Sequence, residues 1–334
     1  MDDDPSGSAK FAAQASTDDQ PIPDLYHYTS AEGLYGILNN QQLWLTHAGY
    51  LNDTEEFIYG LRVIMEEMRD YRAEINSRIS SGESGLNELS GYIDGALNAF
   101  DFTNLLNSNN ALSDGMSTDE KILLVSTFQD RITPFVSCLS TERDQLSQWR
   151  GYARGGYAIR FDTEALRSTM CLLDRDGNRI ESGSNLRMAK VLYAAEDFRG
   201  EVRDVVRSTI NSLPELTKSF HHLYVANSFG IDRINKLVNS MLSQGSLLKN
   251  RKFHEESEYR ITVNCLETFV TPSALGFTPR AAISFDSSAV KEVIVGPSEF
   301  AVVRRLSVQR YLHSSGHGYV HVTASPSEIP YRET

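Results

Sequence analysis

Three short apolar runs, each closing on chemically capable side chains, constrain this chain more than any other feature. They are Leu25-Tyr26-His27-Tyr28-Thr29, then Ser137-Cys138-Leu139-Ser140 followed by Trp149 and Tyr152, then Glu256-Ser257-Glu258-Tyr259-Arg260. Each reads as a strand or a strand end. Long stretches of helical periodicity separate them, and strands and helices do not alternate regularly. A fold that pairs these runs has to bring together segments distant in sequence, with helices inserted between. The class expected is α+β rather than a doubly wound parallel sheet.

The local pattern fills in this frame. Leu25–Tyr28 reads as a strand. Thr29 followed by Glu32 reads as a capping box opening a helix whose Leu34, Ile37 and Leu38 share one face. Leu43–Thr46 reads as a second strand, so His27 and Tyr28 sit at a strand end just before a helix, a junction that commonly faces a cleft. Helical spacing over Glu55–Arg78 (Phe57, Leu61, Ile64, Met65) and Leu86–Leu106, a polar loop at Asn107–Ser117 and a helix at Asp119–Asp130 form a first helical insertion, about 55–130. Beyond it come a strand at Pro134–Leu139, a short helix at Leu146–Tyr152, a Gly155-Gly156 turn and an alternating strand at Tyr157–Asp162. A helix at Glu164–Leu173, a hairpin around Asp176-Gly177-Asn178 and a strand at Met188–Tyr193 follow. Helices at Ala195–Ser212 and Pro214–Leu247 make a second insertion, about 195–248. Strands at Tyr259–Val263, Ala281–Phe285 and Glu292–Val295, a helix at Pro297–Leu312 and a strand at Val320–Val322 complete the reading. Residues 1–22, poor in large apolar side chains, are expected to be a disordered acidic tail, and 23–334 a single domain carrying the two insertions.

Charge and cysteine content narrow the function classes. The formal net charge is −12. Six Asp and one Lys in the first 24 residues account for −5 of it and leave −7 elsewhere. That balance argues against a broad grip on nucleic-acid backbone. Cys138, Cys171 and Cys265 are odd in number and widely spaced, with neither a metal-binding pair nor a disulfide framework. With no apolar run near the roughly 20 residues of a membrane span and no secretory signal pattern, a reducing cytoplasm is expected.

The candidate site residues each have a plainer account beside the functional one. His27 is suited to hydrogen-bonding a ribose hydroxyl; a half-buried histidine satisfied by backbone has the same signature. Trp149 and Tyr152, three apart on a helix, would share a face; Tyr152 is suited to stacking on a flat heterocycle, and Trp149 to core packing. On a strand, Glu256 and Glu258 would point the same way, and one carboxyl should titrate high unless a cation lies near. Lys249, Arg251, Lys252 and Arg260 are the nearby cations, and a solvated acidic face is the alternative. His221-His222 and His313, His317 and His321 lack a companion acidic pattern. Asp53, Glu55 and Glu56 are the other dense acidic group beside a motif, a thin basis for a metal-dependent nuclease. No Rossmann fingerprint, phosphate loop or Gly-x-Ser-x-Gly elbow is present.

At these residues the chain resembles a bacterial domain-of-unknown-function family, DUF2971. The pieces are Leu25–Ser30, Tyr50-Leu51-Asn52-Asp53, Ser137–Ser140 with Trp149–Tyr152, Glu256–Arg260, Val293–Pro297 and Ile329-Pro330-Tyr331-Arg332. The order His, Ser-x-x-Ser with a Tyr, then Glu-x-Glu is also similar to the ADP-ribosyltransferase superfamily. That second resemblance implies a split mixed β-sheet with NAD, as substrate, in its cleft. It implies that His27 holds a ribose, that Tyr152 (or Tyr28 or Tyr157) stacks on nicotinamide, and that Tyr28, Ser137, Ser140 and Arg260 complete the NAD site. Glu258 would stabilise an oxocarbenium-like transition state and Glu256 would position the acceptor. The function implied is transfer of ADP-ribose to a protein or nucleic-acid acceptor by a toxin or anti-phage effector, with a neutralising partner protein in prospect and no metal. Alternatives are an NAD glycohydrolase and a non-enzymatic nucleotide-binding or partner-binding module.

Overall fold

The computed structural model describes residues 22–51, 54–107, 134–180, 186–194, 199–212, 226–265, 269–273 and 276–330. The expected tail up to residue 21, the loop after Asn107, the helix at Asp119–Asp130, the Asn52-Asp53 and His221-His222 pairs, and Tyr331 and Arg332 lie outside the described residues.

The described chain is α+β, with helices packed around an open, mixed sheet. The strands are β1 (Leu25–Thr29), β2 (Gln42–His47), β3 (Phe135–Ser140), β4 (Tyr157–Phe161), β5 (Cys171–Leu172), β6 (Arg187–Lys190), β7 (Leu192–Ala194), β8 (Leu248–Asn250), β9 (Glu258–Val263), β10 (Phe269–Ser273), β11 (Gly276–Ser284), β12 (Val290–Val295) and β13 (Thr323–Pro326). The main sheet runs β10-β11-β2-β3-β1-β4-β12-β13, with β9 on β3, β6 on β9 and β5 on β11. Its ladders are antiparallel except β12–β13, and β7 and β8 form a separate parallel pair.

One irregularity of pairing decides where the site lies. Strand β9 pairs with the whole of β3, from Phe135↔Val263 to Ser140↔Glu258. The opposite edge of β3 is shared. There β2 pairs at Thr46↔Val136 and His47↔Phe135, while β1 meets β3 at Tyr26↔Ser140. Past those points β1 follows β4 and β2 follows β11. The edge of β3 between them, Ser137–Leu139, faces a gap in the ladder, and helix α1 (Ala31–Asn40) connects the two diverging strands.

Side-chain alternation makes two different sheet faces. Leu25, Leu43, Leu45, Phe135, Leu139, Ile159, Phe161 and Ile261 point into one core, covered by Leu34, Ile37 and Leu38 of α1 and by Val308 and Leu312 of the helix Ala301–Ser314. Complete burial of each such aliphatic side chain contributes about 1.5–3 kcal/mol. The other face carries Glu258, Arg260, Ser140, Cys138, Thr46 and Arg280, with a small cluster of Tyr26, Tyr28, Trp149, Ala153, Ala158 and Ile294. A second core joins the two helical insertions: Ile64, Met68 and Ile75 of Thr54–Ser80, Ile93 and Leu97 of Asn87–Asn107, Val206 of Arg199–Asn211 and Leu237 and Met241 of Ala226–Gly245 pack together. Strand β8 runs out of this helical core and brings Lys249 to the sheet.

Several local expectations change in the folded chain. Helix α1 starts one residue late: Thr29 ends β1, and Ser30 is the cap, its Oγ accepting from the Gly33 amide. The expected Met188–Tyr193 strand is two strands in different sheets, β6 and β7. The helix expected to Leu173 stops at Thr169, because Cys171–Leu172 pairs with β11. The last strand is Thr323–Pro326 rather than Val320–Val322; Val320 is exposed, in the turn before it.

Candidate functional site

A cavity of about 580 Å³ opens at the gap between β1, β2 and β3. It lies within the size range of small-molecule and cofactor sites. His27, Ser137, Ser140, Tyr152, Glu256 and Glu258 all line it, so all three sequence-distant segments meet there.

His27 is placed by β1 as that strand leaves β3. Its Nδ1 donates to the Cys138 carbonyl oxygen across the gap at 2.9 Å. Burial pulls the imidazole below its ordinary value, against the opposing effect of that hydrogen bond. The ring is therefore neutral near pH 7, which leaves Nε2 an acceptor. Ser137, on the free edge of β3, is 4% exposed and its Oγ has no hydrogen-bond partner among the described residues. A buried hydroxyl without a partner is uncommon and costs stability, and this one borders a cavity.

Tyr28 and Ser140 do mainly architectural work. The Tyr28 hydroxyl donates to Glu142 O at 2.6 Å and accepts from the Gln145 amide at 3.1 Å. Ser140 Oγ donates to Glu256 O at 2.7 Å and accepts from the Glu142 amide at 3.0 Å. Between them they tie the Thr141–Gln145 loop, β1 and the Glu256 segment together.

Trp149 and Tyr152 part company. The helical turn Leu146–Gln148 widens into a π-helical turn over Trp149–Ala153. That widening rotates Tyr152 away from Trp149, so the shared face expected from α-helical spacing is lost. Trp149 is 2% exposed, packs edge-on to Tyr28 at 4.8 Å and donates its indole N–H to Asp144. Gly156 lets this segment close tightly: a Cβ there would meet the Thr29 carbonyl oxygen at 2.3 Å. Tyr152, 40% exposed, donates its hydroxyl to Glu256 Oε2 at 3.1 Å.

The two glutamates do not share a strand face. Glu256 closes a 3-10 helix, Arg251–Glu256; Ser257 is left-handed (φ 44°); Glu258 opens β9. The reversal nevertheless returns both carboxylates to one cation. Lys249 Nζ reaches Glu256 Oε2 at 2.7 Å and Glu258 Oε2 at 3.2 Å. Arg260, two residues along the same strand, donates Nε to Glu258 Oε1 at 2.8 Å and an Nη to Oε2 at 3.1 Å, and its other Nη to Ser246 O at 2.5 Å. Burial pulls the Glu258 carboxyl upward, but Arg260, then Lys249 and a Cys138 hydrogen bond outweigh it and hold it below the usual carboxylate range. The high titration expected of a bare pair is thus removed by the nearby cations. Tyr193 accepts from the Glu258 amide at 2.8 Å, and burial pushes its phenol up to about 12. Burial and the Glu258 charge together raise the Cys138 thiol well above its ordinary value. Arg251 and Lys252, the other cations near in sequence, are exposed.

Of the four cations near in sequence, Lys249 and Arg260 are the ones that reach Glu258, whereas Tyr193 is not among the residues the sequence points to. The signal for Lys249 was a lysine set in the apolar run Leu247-Leu248, where a charge needs a partner. Tyr193 left no comparable trace. Among the described residues no group of His, Cys, Asp and Glu is arranged as a metal site, and no helix is long and apolar enough to cross a membrane.

Residues 148–261 match the family model for DUF2971, described as a protein of unknown function. The match covers about a third of the chain and runs from the π-helical turn into β9, so it includes Tyr152, Lys249, Glu256, Glu258 and Arg260. The pieces at Leu25–Ser30, Ser137–Ser140 and Val293–Pro297 fall outside it. Neither the curated proteins nor the solved structures give a match to this chain.

Proposed function

We propose that the cavity binds NAD and that the chain is an ADP-ribosyltransferase, moving ADP-ribose from NAD to a macromolecular acceptor. The observation that carries this reading is the convergence of His27, Ser137, Tyr152, Glu256 and Glu258 on one cavity at a gap in the sheet. Breaking the nicotinamide–ribose bond sends its electron pair out with nicotinamide and leaves positive charge on the sugar. A carboxylate in a water-poor site stabilises that charge. In this reading Glu258 faces the ribose, with Arg260 and Lys249 keeping it ionised. His27 and Ser137, which alternation places on the side of the sheet opposite Glu258, take ribose hydroxyls through the gap beside β3, and the Tyr152 ring lies against nicotinamide. Glu256 takes the proton of the attacking acceptor. With water as acceptor the same site is an NAD glycohydrolase.

A second reading, a nucleotide-binding module without chemistry, is favoured by one observation: both Glu258 oxygens are engaged by Arg260 and Lys249. Nicotinamide release by purified protein separates the two, measured with and without cell lysate. Because Glu258 sits in a buried ion cluster, its substitution alters stability whatever its chemistry, so Glu256→Gln is compared beside Glu258→Gln at a temperature where both are folded. Release that falls at least roughly 100-fold in Glu258→Gln supports the enzyme, and dependence on lysate supports a transferase over a hydrolase. No release, with NAD also failing to raise the melting temperature, removes the NAD reading.

A further inference from the structure

The cavity has a second end that the three motifs do not touch. The sheet face carrying Glu258 continues across β3, β2, β11 and β10, because registered partners share a face. Thr46 pairs with Val136 and with Arg280, Trp44 with Ala282, and Thr271 with Thr278. Trp44, Thr46, Arg280, Thr278 and Ser273 all line the same cavity as Glu258. From β9 to β11 is three strand spacings, roughly 14 Å, and Arg280 lies four residues along β3 from the Glu258 row, so the two ends are roughly 19 Å apart. A dinucleotide covers that distance and a single nucleoside does not.

This end has its own chemistry. Arg280 donates Nε to Thr271 Oγ1 at 3.0 Å and an Nη to Thr46 Oγ1, so the guanidinium plane is held by hydroxyls on both neighbouring strands. Thr278 and Ser273 add a hydroxyl pair at 2.7 Å. A guanidinium fork matches phosphate oxygens, and hydroxyls extend such a site. Trp44 stands beside it, 48% exposed, its ring steadied edge-on by Phe269 at 5.1 Å. A large exposed indole on a cavity wall is a stacking platform for a flat base. Burial lowers the Arg280 guanidinium.

We propose that Arg280 with Thr46 and Thr278 binds the phosphates, and Trp44 the base, of an adenosine diphosphate group. Resting on the NAD reading, this assigns the adenylate half of NAD to the β2–β11 end of the cavity and the nicotinamide half to the Tyr152–Glu258 end. It also gives the aromatic and hydroxyl residues of β2 and β11, which lie outside the three motifs, a defined role.

The chain has two tryptophans, and of these Trp44 lines the cavity, so a change in fluorescence on adding ligand reports on Trp44. ADP is titrated against the full chain by fluorescence and by calorimetry. Expected results are quenching by ADP that Trp44→Phe removes, and ADP affinity lowered roughly tenfold or more in Arg280→Gln with the melting temperature retained. Affinity for nicotinamide riboside, which carries no phosphate, should be unchanged in that variant. If Arg280→Gln does not fold, Trp44→Ala, which leaves the Arg280 hydrogen bonds to Thr46 and Thr271 in place, carries the calorimetric test. Absence of ADP binding, ADP affinity unchanged in a folded variant, or preference for a single-stranded oligonucleotide over ADP would each overturn the assignment. ADP bound as expected without NAD cleavage upholds this site and removes the enzyme. Cleavage with an unchanged KM for NAD in Arg280→Gln does the reverse.

Discussion

Two ion clusters sit on the same face of one sheet and differ in almost everything but composition. At one end, Glu258 lies between Lys249 and Arg260, and the three side chains are 1–4% exposed. Reading across the ladder through Ser140, Tyr26 and Arg160 leads to the other, where Glu292 meets Arg143 at 2.8 Å and Arg160 meets Asp24 at 2.6 Å. There the arginines are 33% and 40% exposed. Glu292 itself is buried, its side chain 11% exposed, but its arginine partners reach solvent, so the second cluster is better screened than the first. A cluster of the first kind carries a desolvation penalty that its internal attraction has to offset, and a purely apolar replacement is often as stable. The expensive cluster borders the cavity; the inexpensive one lies at the far end of the sheet. Position against a cavity, rather than charge content, is what marks Glu258 as a site candidate.

The comparison can be broken most directly at Glu258. Glu258→Gln leaves Lys249 and Arg260 buried without their anion and should destabilise the fold by about 3–5 kcal/mol, read by denaturant or thermal melting. A loss below about 1 kcal/mol would equate the two clusters. The pH dependence follows the same ranking. Glu258 and Glu292 both titrate below their ordinary value of 4.5 when folded, each with burial opposed by hydrogen-bonded arginine. The stability each contributes is therefore fully present above about pH 4.5 and is lost as pH falls through the lower folded value. Stability curves from pH 3 to 7 should flatten more in Glu258→Gln than in Glu292→Gln. Glu292→Gln itself should cost about 1 kcal/mol, and high salt should shrink that difference while leaving the Glu258 effect nearly unchanged.

The smallest effect on stability is expected at Ser137. Its hydroxyl is buried without a partner among the described residues, so Ser137→Ala should change stability by less than about 0.5 kcal/mol or raise it slightly. The same variant should weaken NAD binding if that hydroxyl meets a ribose. A marked loss of stability would mean that the hydroxyl already has a role within the fold, and would remove Ser137 from the site.

Much of the framework was legible from local pattern. The period-two runs at Leu25–Thr29, Tyr157–Phe161 and Glu258–Val263 are strands, and the helical stripe of Leu34, Ile37 and Leu38 is buried. These signals survive because alternation and helical spacing are properties of neighbouring residues. Reading failed where a distant partner or a single dihedral overrides the local period. The π-helical turn separates Trp149 from Tyr152. The left-handed Ser257 takes Glu256 off the strand that Glu258 opens. Pairing of Cys171–Leu172 with β11 ends a helix early.

By itself the sequence determined the α+β character, the main strands, and the three segments whose polar ends meet at the cavity, because hydrophobic period and residue type are local. Only the tertiary structure decided that β1 and β2 share one edge of β3 and open a gap there. It alone delivered Lys249 from the helical core to both glutamates, and set Trp44 and Arg280 at the cavity's far end. Those outcomes depend on ladder register and on charge pairing between residues far apart in the chain, and no local period encodes either.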